Sequence, residues 1–176
     1  MRRIAVIGTS GSGKTTLARQ ISEILEIRHI ELDQYFWLSD WESREIDEFR
    51  GMVEKLTAEE KWVVDGNYGT IRDLIWSRAT DIIWLDLSFW ITFGRTALRT
   101  IKRLYNREIL FGGCRESLLR TLFSSDSILW WVIKTHSLWR REYPKLFAQK
   151  QYQGIQVTKI CNKHELNKLT ESLKKL

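Results

Sequence analysis

A chain of 176 residues with 43% apolar content can bury one continuous core, which excludes a disordered segment and a disulfide-stapled mini-domain. The two cysteines, Cys114 and Cys161, lie far apart with no His or Cys at metal-binding spacing, which argues against a structural zinc and for reduced thiols in a cytosolic protein. The formal charge of +6 is concentrated between Phe93 and Lys145, where eleven Lys and Arg face four acidic residues, a segment suited to nucleotide phosphates, a nucleic-acid backbone or solubility.

The first element is a short buried strand, Ile4 to Ile7, too brief for a signal peptide. The longest later apolar run, "ILWWVI" at 128 to 133, falls far below membrane-spanning length, so a cytoplasmic protein with no membrane partner is expected. After the strand, Gly8-Thr9-Ser10-Gly11-Ser12-Gly13-Lys14-Thr15 satisfies G-x-x-x-x-G-K-[ST] at every position, and Leu17, Ile21, Ile24 and Leu25 then recur at helical spacing. Strand, glycine-rich turn and helix are the order a phosphate cradle requires. The glycines let successive N–H groups converge, and the helix adds the positive end of its dipole. Gly8, Ser10, Gly11, Ser12, Gly13, Lys14, Thr15 and Thr16 are therefore the candidate nucleotide-binding set. Lys14 is placed to reach the β- and γ-phosphates of ATP, and the Thr15 hydroxyl to ligate Mg²⁺.

A second strand fits "IRHIEL" at 27 to 32 and ends at Asp33, followed by an aromatic loop with Tyr35, Phe36, Trp37 and Trp41. Trp37 and its neighbours either stack on a base or sugar or serve as bulky packing. Ile46, Phe49, Met52, Val53 and Leu56 mark one face of a helix, "KWVVDG" is a third strand ending at Asp65, and "DIIWLDL" a fourth ending near Asp86. Next comes a helix with Phe93, Leu98, Ile101 and Leu104 as its apolar face and Arg95, Arg99 and Arg103 along a polar stripe. A Gly112-Gly113 break precedes a second helical tract carrying Trp131, Leu138, Trp139, Tyr143 and Phe147. "GIQVTKI" at 154 to 160 is a fifth strand, and Asn162 with Glu165 forms a capping box for a last helix. His29, His136 and His164 share no metal spacing and are expected to be packing or surface residues.

Apolar strands alternating with helices predict an α/β fold, a parallel sheet covered on both faces, with its ligands at the carboxyl ends of the strands. No composition break separates two domains, so residues 1–176 read as one domain. The first turn, Asp33, Asp65 and Asp86 then face one edge. Asp65 and Asp86 are equivalent by position as the acidic partner of the phosphate cradle.

With "AVIGTSGSGKTTLA", "ELDQYFW", "WVVDGNY", "DIIWLDL" and "ICNKHEL" in hand, the chain resembles the P-loop kinases of the adenylate kinase group, and within it the DNA topology modulation protein (FlaR-like) family. The resemblance implies a three-layer P-loop NTPase fold, a five-stranded parallel sheet in order 2-3-1-4-5, and a basic helical lid at about 106–126. It implies that Asp65 is the carboxylate near the metal and that Arg72, in a later position than the family's arginine, contacts substrate. It places Arg95 and Arg99 on the transferred phosphate, Arg103, Arg140 and Arg141 on substrate phosphates, and Asn162 beside the base. Shikimate- and gluconate-kinase-like relatives imply that Asp33 orients or deprotonates an acceptor hydroxyl; the same residue also suits a turn or cap.

The function expected is ATP- and Mg²⁺-dependent transfer of the γ-phosphoryl group to a nucleotide or a small hydroxyl metabolite. Lys14, Asp33, Arg95 and Arg99 are its catalytic candidates, and Thr15 and Asp65 its metal candidates. The alternative is an ATP-binding regulator associated with nucleic acid, drawn from the basic segment and the name of the resembling family.

Overall fold

The computed structural model describes residues 2–106, 108–114 and 127–175. Most of the lid expected at 106–126 lies outside the described residues. The strands are β1 (Arg3–Gly8), β2 (Arg28–Glu31), β3 (Trp62–Asp65), β4 (Asp81–Leu85) and β5 (Gln156–Ile160). The helices used below are α1 (Lys14–Leu25), the single turn α2 (Asp33–Phe36), α3 (Ile46–Leu56), α4 (Arg72–Arg78), α5 (Phe89–Asn106), α6 (Ile128–Phe147) and α7 (Lys163–Leu173).

The strands form one five-stranded sheet in the order β2-β3-β1-β4-β5, every pair parallel. This is the expected order. A parallel strand covered on both faces needs apolar residues at successive positions, and β1 supplies them. Ala5 and Ile7 join Ile30, Val64, Ile82 and Trp84 on one face, under Phe49 and Val53 of α3, Leu74 and Trp76 of α4 and Tyr143 of α6. Ile4 and Val6 join Val63, Ile83 and Leu85 on the other, under Leu17, Ala18 and Ile21 of α1 and Leu173 of α7. Three layers result.

Parallel registry brings the strand ends together: Gly8 lies opposite Leu85, and Glu31 opposite Asp65. β2 stops at Glu31, and Asp33 opens the helical turn α2. The P-loop, Asp33, Asp65 and Asp86 therefore share one edge.

The amphipathic reading of α5 is reversed. Its buried residues are Thr92, Thr96 and Thr100, while Leu98 and Ile101 are 70% and 62% exposed. Close approach explains the inversion. α5 crosses the phosphate loop at Gly11, where a Cβ would stand 2.3 Å from the Thr92 carbonyl oxygen and 2.4 Å from Thr96 Oγ1. Leucine at those helix positions would hold the two backbones apart. The hydroxyls of Thr92 and Thr96 are buried at little cost because they bond within the helix, Thr96 Oγ1 to the Thr92 carbonyl at 2.8 Å and Thr92 Oγ1 to the Phe89 carbonyl at 3.0 Å, whereas the Thr100 hydroxyl is buried with no hydrogen-bond partner among the described residues.

Beyond α5 the chain returns to the aromatic loop after α2. Gly112 adopts φ +60°, and a Cβ there would meet the Trp37 carbonyl oxygen at 2.8 Å. Buried Cys114 donates to the Leu38 carbonyl at 2.9 Å and accepts from the Trp41 N–H at 3.1 Å. Both cysteines are free thiols. Among the described residues no helix is long and apolar enough to cross a membrane.

Candidate active site

The cradle occupies the turn between β1 and α1. Gly13 stands at the N-cap of α1 and offers no side chain to the first-turn N–H groups. They and the helix dipole are thus presented to an anion. Gly11, at φ +77°, gives the loop the left-handed conformation its curl needs. The Ser12 hydroxyl is buried within this loop with no hydrogen-bond partner. An orphaned polar group costs about 1–3 kcal/mol, and a phosphate oxygen would remove that cost.

Lys14 folds back so that Nζ donates to the Thr9 carbonyl at 3.1 Å. Burial lowers its pKa, opposed by the nearby carboxylates of Asp33 and Asp65 and assisted by the Arg99 charge. Those two carboxylates thus lie within electrostatic reach of the lysine that would hold the β- and γ-phosphates. Thr15 Oγ1 donates to Asp65 Oδ2 at 2.6 Å, an arrangement that spends the hydroxyl proton on the carboxylate and leaves the oxygen lone pairs. Hard oxygen donors beside a phosphate cradle fit Mg²⁺, which is commonly bound by one or two protein oxygens together with substrate phosphates. Thr16 is exposed in the first turn of α1.

Asp86, the other strand-end carboxylate, is engaged elsewhere. It is buried and accepts from Arg140 Nε at 2.5 Å and Lys159 Nζ at 2.8 Å. Lys159 also lies 4.5 Å from the Trp84 ring centroid. Asp86 is therefore the anchor of Arg140, and Asp65 is the carboxylate bound to the P-loop threonine.

α5 places its arginines over the cradle. Arg99 donates to Ser10 Oγ at 3.0 Å, and an Arg95 guanidinium nitrogen lies 4.0 Å from where a Gly13 Cβ would be. Arg103 stands one turn further on, with Nε 3.7 Å from Glu108. Arg141 is exposed on α6. Asn162 caps α7, accepting from the Glu165 N–H at 3.0 Å, while Glu165 accepts from the Cys161 N–H at 2.7 Å. The Asn162 half of the expected capping box forms, while Glu165 returns to the N–H one residue before the cap and to the Asn162 side chain.

On the β2 and β3 side, the Tyr68 hydroxyl donates to Asp33 Oδ1. Burial first, and the Asp33 charge second, push the Tyr68 pKa far above its ordinary value, so the phenol stays a donor across the whole working range. Arg72 lies between two rings, 5.4 Å from the Trp76 centroid and 5.3 Å from that of Trp139. Asn67 accepts from the Tyr143 hydroxyl. A cavity here is lined by Leu32, Asn67, Tyr68, Arg72 and Trp76. Trp37 packs edge-on against Phe36 and Trp41.

Sequence reasoning missed three side chains that touch the strand-end carboxylates: Tyr68 on Asp33, His29 on Asp65 and Lys159 on Asp86. Only Tyr68 had a signal, its place just after "WVVDGN" at a strand end.

An AAA domain family model matches residues 4–141. An uncharacterized protein, YqaC, of Bacillus subtilis (strain 168) is 32% identical over 129 residues, 72% of each chain. Among solved structures, shikimate kinase from Bacteroides thetaiotaomicron superposes with TM-score 0.57 at 15% identity, covering 99% of this chain and 97% of that one. Shikimate kinase from Acinetobacter baumannii, in complex with shikimate, gives TM-score 0.54 at 16% identity, with 98% and 90% covered. A sugar kinase from Janibacter sp. HTCC2649 gives 0.51 at 18%, with 99% and 91% covered. At these identities the fold alone is shared: the P-loop fold of shikimate and sugar kinases. The chain belongs to the AAA domain family.

Proposed function

We propose that this member of the AAA domain family is an ATP- and Mg²⁺-dependent phosphotransferase acting on a hydroxyl group of a small metabolite or nucleotide. The observation that carries this reading is the placement of Asp33, held by Tyr68, within electrostatic reach of Lys14 in the phosphate cradle. An inert binder has no need of a second strand-end carboxylate, whereas a carboxylate base serves any nucleophile that must lose a proton, an acceptor hydroxyl included. A phosphate acceptor is already anionic, so a base favours a hydroxyl.

Each residue then has a task. The N–H groups of residues 11–16 and Lys14 bind the β- and γ-phosphates, and Arg95 and Arg99 offset charge that spreads over the γ-phosphoryl oxygens in the transition state. Thr15 and Asp65 would hold Mg²⁺, which would supply further positive charge to the phosphates. Asp33 Oδ1 is committed to Tyr68, and Oδ2 takes the proton of the attacking hydroxyl. The acceptor oxygen bonds to the γ-phosphorus as the bond to the β–γ bridging oxygen breaks, leaving ADP and a phosphate monoester. Arg72, fixed between two tryptophans, lines the acceptor side, with Trp37 and Asn67 nearby; Arg103, Arg140 and Arg141 extend the positive field, and Asn162 lies toward the base.

Two shared-fold proteins support a hydroxyl acceptor: one is bound to shikimate and another is a sugar kinase. Membership of the FlaR-like group is compatible with this reading. The regulator alternative is weaker, because Arg95, Arg99 and Arg140 of the basic segment point to the P-loop and to Asp86. Incubation with ATP, Mg²⁺ and a panel of hydroxy acids, sugars, nucleosides and nucleoside monophosphates should give acceptor-dependent ADP. Asp33→Asn should lower kcat by about 10²–10⁴-fold while ATP affinity is retained. Acceptor-dependent turnover undiminished in Asp33→Asn would remove the base from the mechanism.

A further inference from the structure

The Asp65 carboxylate is gripped at both oxygens. Thr15 donates to Oδ2, and on the opposite oxygen His29 Nε2 stands 2.6 Å from Oδ1. Asp65 is 3% exposed and the His29 side chain 17%, so water competes little for this bond. An ionised carboxylate only accepts, which requires the proton on Nε2 and makes His29 the donor. The pair is also held by backbone: His29 lies on β2 and Asp65 on β3, with Glu31 and Asp65 directly paired in the ladder between them.

We infer that His29 is a positioning residue for the Mg²⁺ site, acting through Asp65 on the Thr15 oxygen. The inference rests on the phosphotransferase reading above. Asp65 is pulled in two directions, since its charge also reaches the buried ammonium of Lys14. A rotation of the carboxylate that took Oδ2 away from Thr15 would release the threonine proton and turn its lone pairs out of line. The bond from His29 to Oδ1 fixes the carboxylate plane against that rotation. Outer partners of this kind orient the groups that touch a metal, and their removal commonly costs about 10–100-fold in metal affinity.

The test is a comparison of ATP affinity with Mg²⁺ and with EDTA, by calorimetry, in the wild type, His29→Leu and His29→Gln. Gln places its Nε2 donor at a reach similar to that of the imidazole Nε2. The leucine variant should lose at least about tenfold of the gain in ATP affinity that Mg²⁺ confers, with metal-free affinity within about twofold of wild type. The glutamine variant should keep most of the gain. If His29→Leu fails to fold, His29→Asn, too short to reach Oδ1, takes its place in the comparison. A variant without a donor that retains the full Mg²⁺-dependent gain, or loses affinity equally with and without metal, overturns the inference. So does a wild type that binds ATP with no gain from Mg²⁺. A wild type that binds no ATP at all overturns the functional reading itself.

Discussion

Glu31 shows what the site costs the folded chain. It is half-buried at the end of β2, directly opposite Asp65, and burial first and the Asp65 charge second raise its pKa. Gln34, donating to Oε2 at 2.9 Å, and His29 oppose the rise. The folded protein therefore holds this proton more tightly than the unfolded chain, so stability falls as pH rises from the ordinary glutamate pKa, about 4, through the raised folded value. Glu31→Gln removes a charge that burial disfavours. Thermal melts should show the variant with a higher Tm than wild type at pH 7 and a difference that shrinks toward pH 4. A variant less stable at pH 7 would mean that the carboxylate makes a net favourable contact. At this scale the sequence is legible where chemistry is local. The P-loop is read from consecutive residues because consecutive N–H groups build it. The contacts of His29 and Tyr68 were illegible, even though Tyr68 stood in a legible place at a strand end, because their carboxylates lie 36 and 35 positions away and meet them only across the fold.

At the scale of elements, α5 is the decisive one. Its arginine stripe was legible from a spacing of four, and that stripe faces the cradle at Arg95 and Arg99. Its buried face was not legible, because amphipathic reasoning sends apolar groups inward. Here the requirement was small size and self-satisfied hydroxyls, since Gly11 lies against Thr92 and Thr96. The contact predicts a specific sensitivity. Gly11→Ala adds a Cβ at a position with φ +77° and little more than 2 Å from two helix oxygens, so both the loop and α5 must move. The protein should still fold, with ATP affinity reduced more than tenfold; unchanged affinity would show that α5 does not constrain the cradle. Strand ends were read to within two residues, and the mismatch at β2 follows from Asp33 starting a helical turn.

For the whole molecule, strand order places the chemistry. With β1 central, the loop after it lies between the ends of β3 and β4, and Asp65 and Asp86 flank the P-loop from opposite sides. One carboxylate receives the Thr15 hydroxyl and the other binds Arg140 and Lys159. Sequence pattern gave equal standing to the two; the third dimension separates them, because each faces a different helix. The basic segment, read from sequence as one field, likewise resolves into arginines over the phosphate loop and an arginine fixed to Asp86. All of this depends on the turn between β1 and α1 holding a nucleoside triphosphate with Lys14 as its charge partner. A calorimetric titration of ATP with Mg²⁺ into wild type and Lys14→Met measures that directly. The account predicts saturable one-to-one binding by wild type and at least about a hundredfold loss in the variant, whose Tm without nucleotide is no lower because a buried charge has been removed. Heat-silent wild type, or a variant that binds ATP as well as wild type, would contradict it.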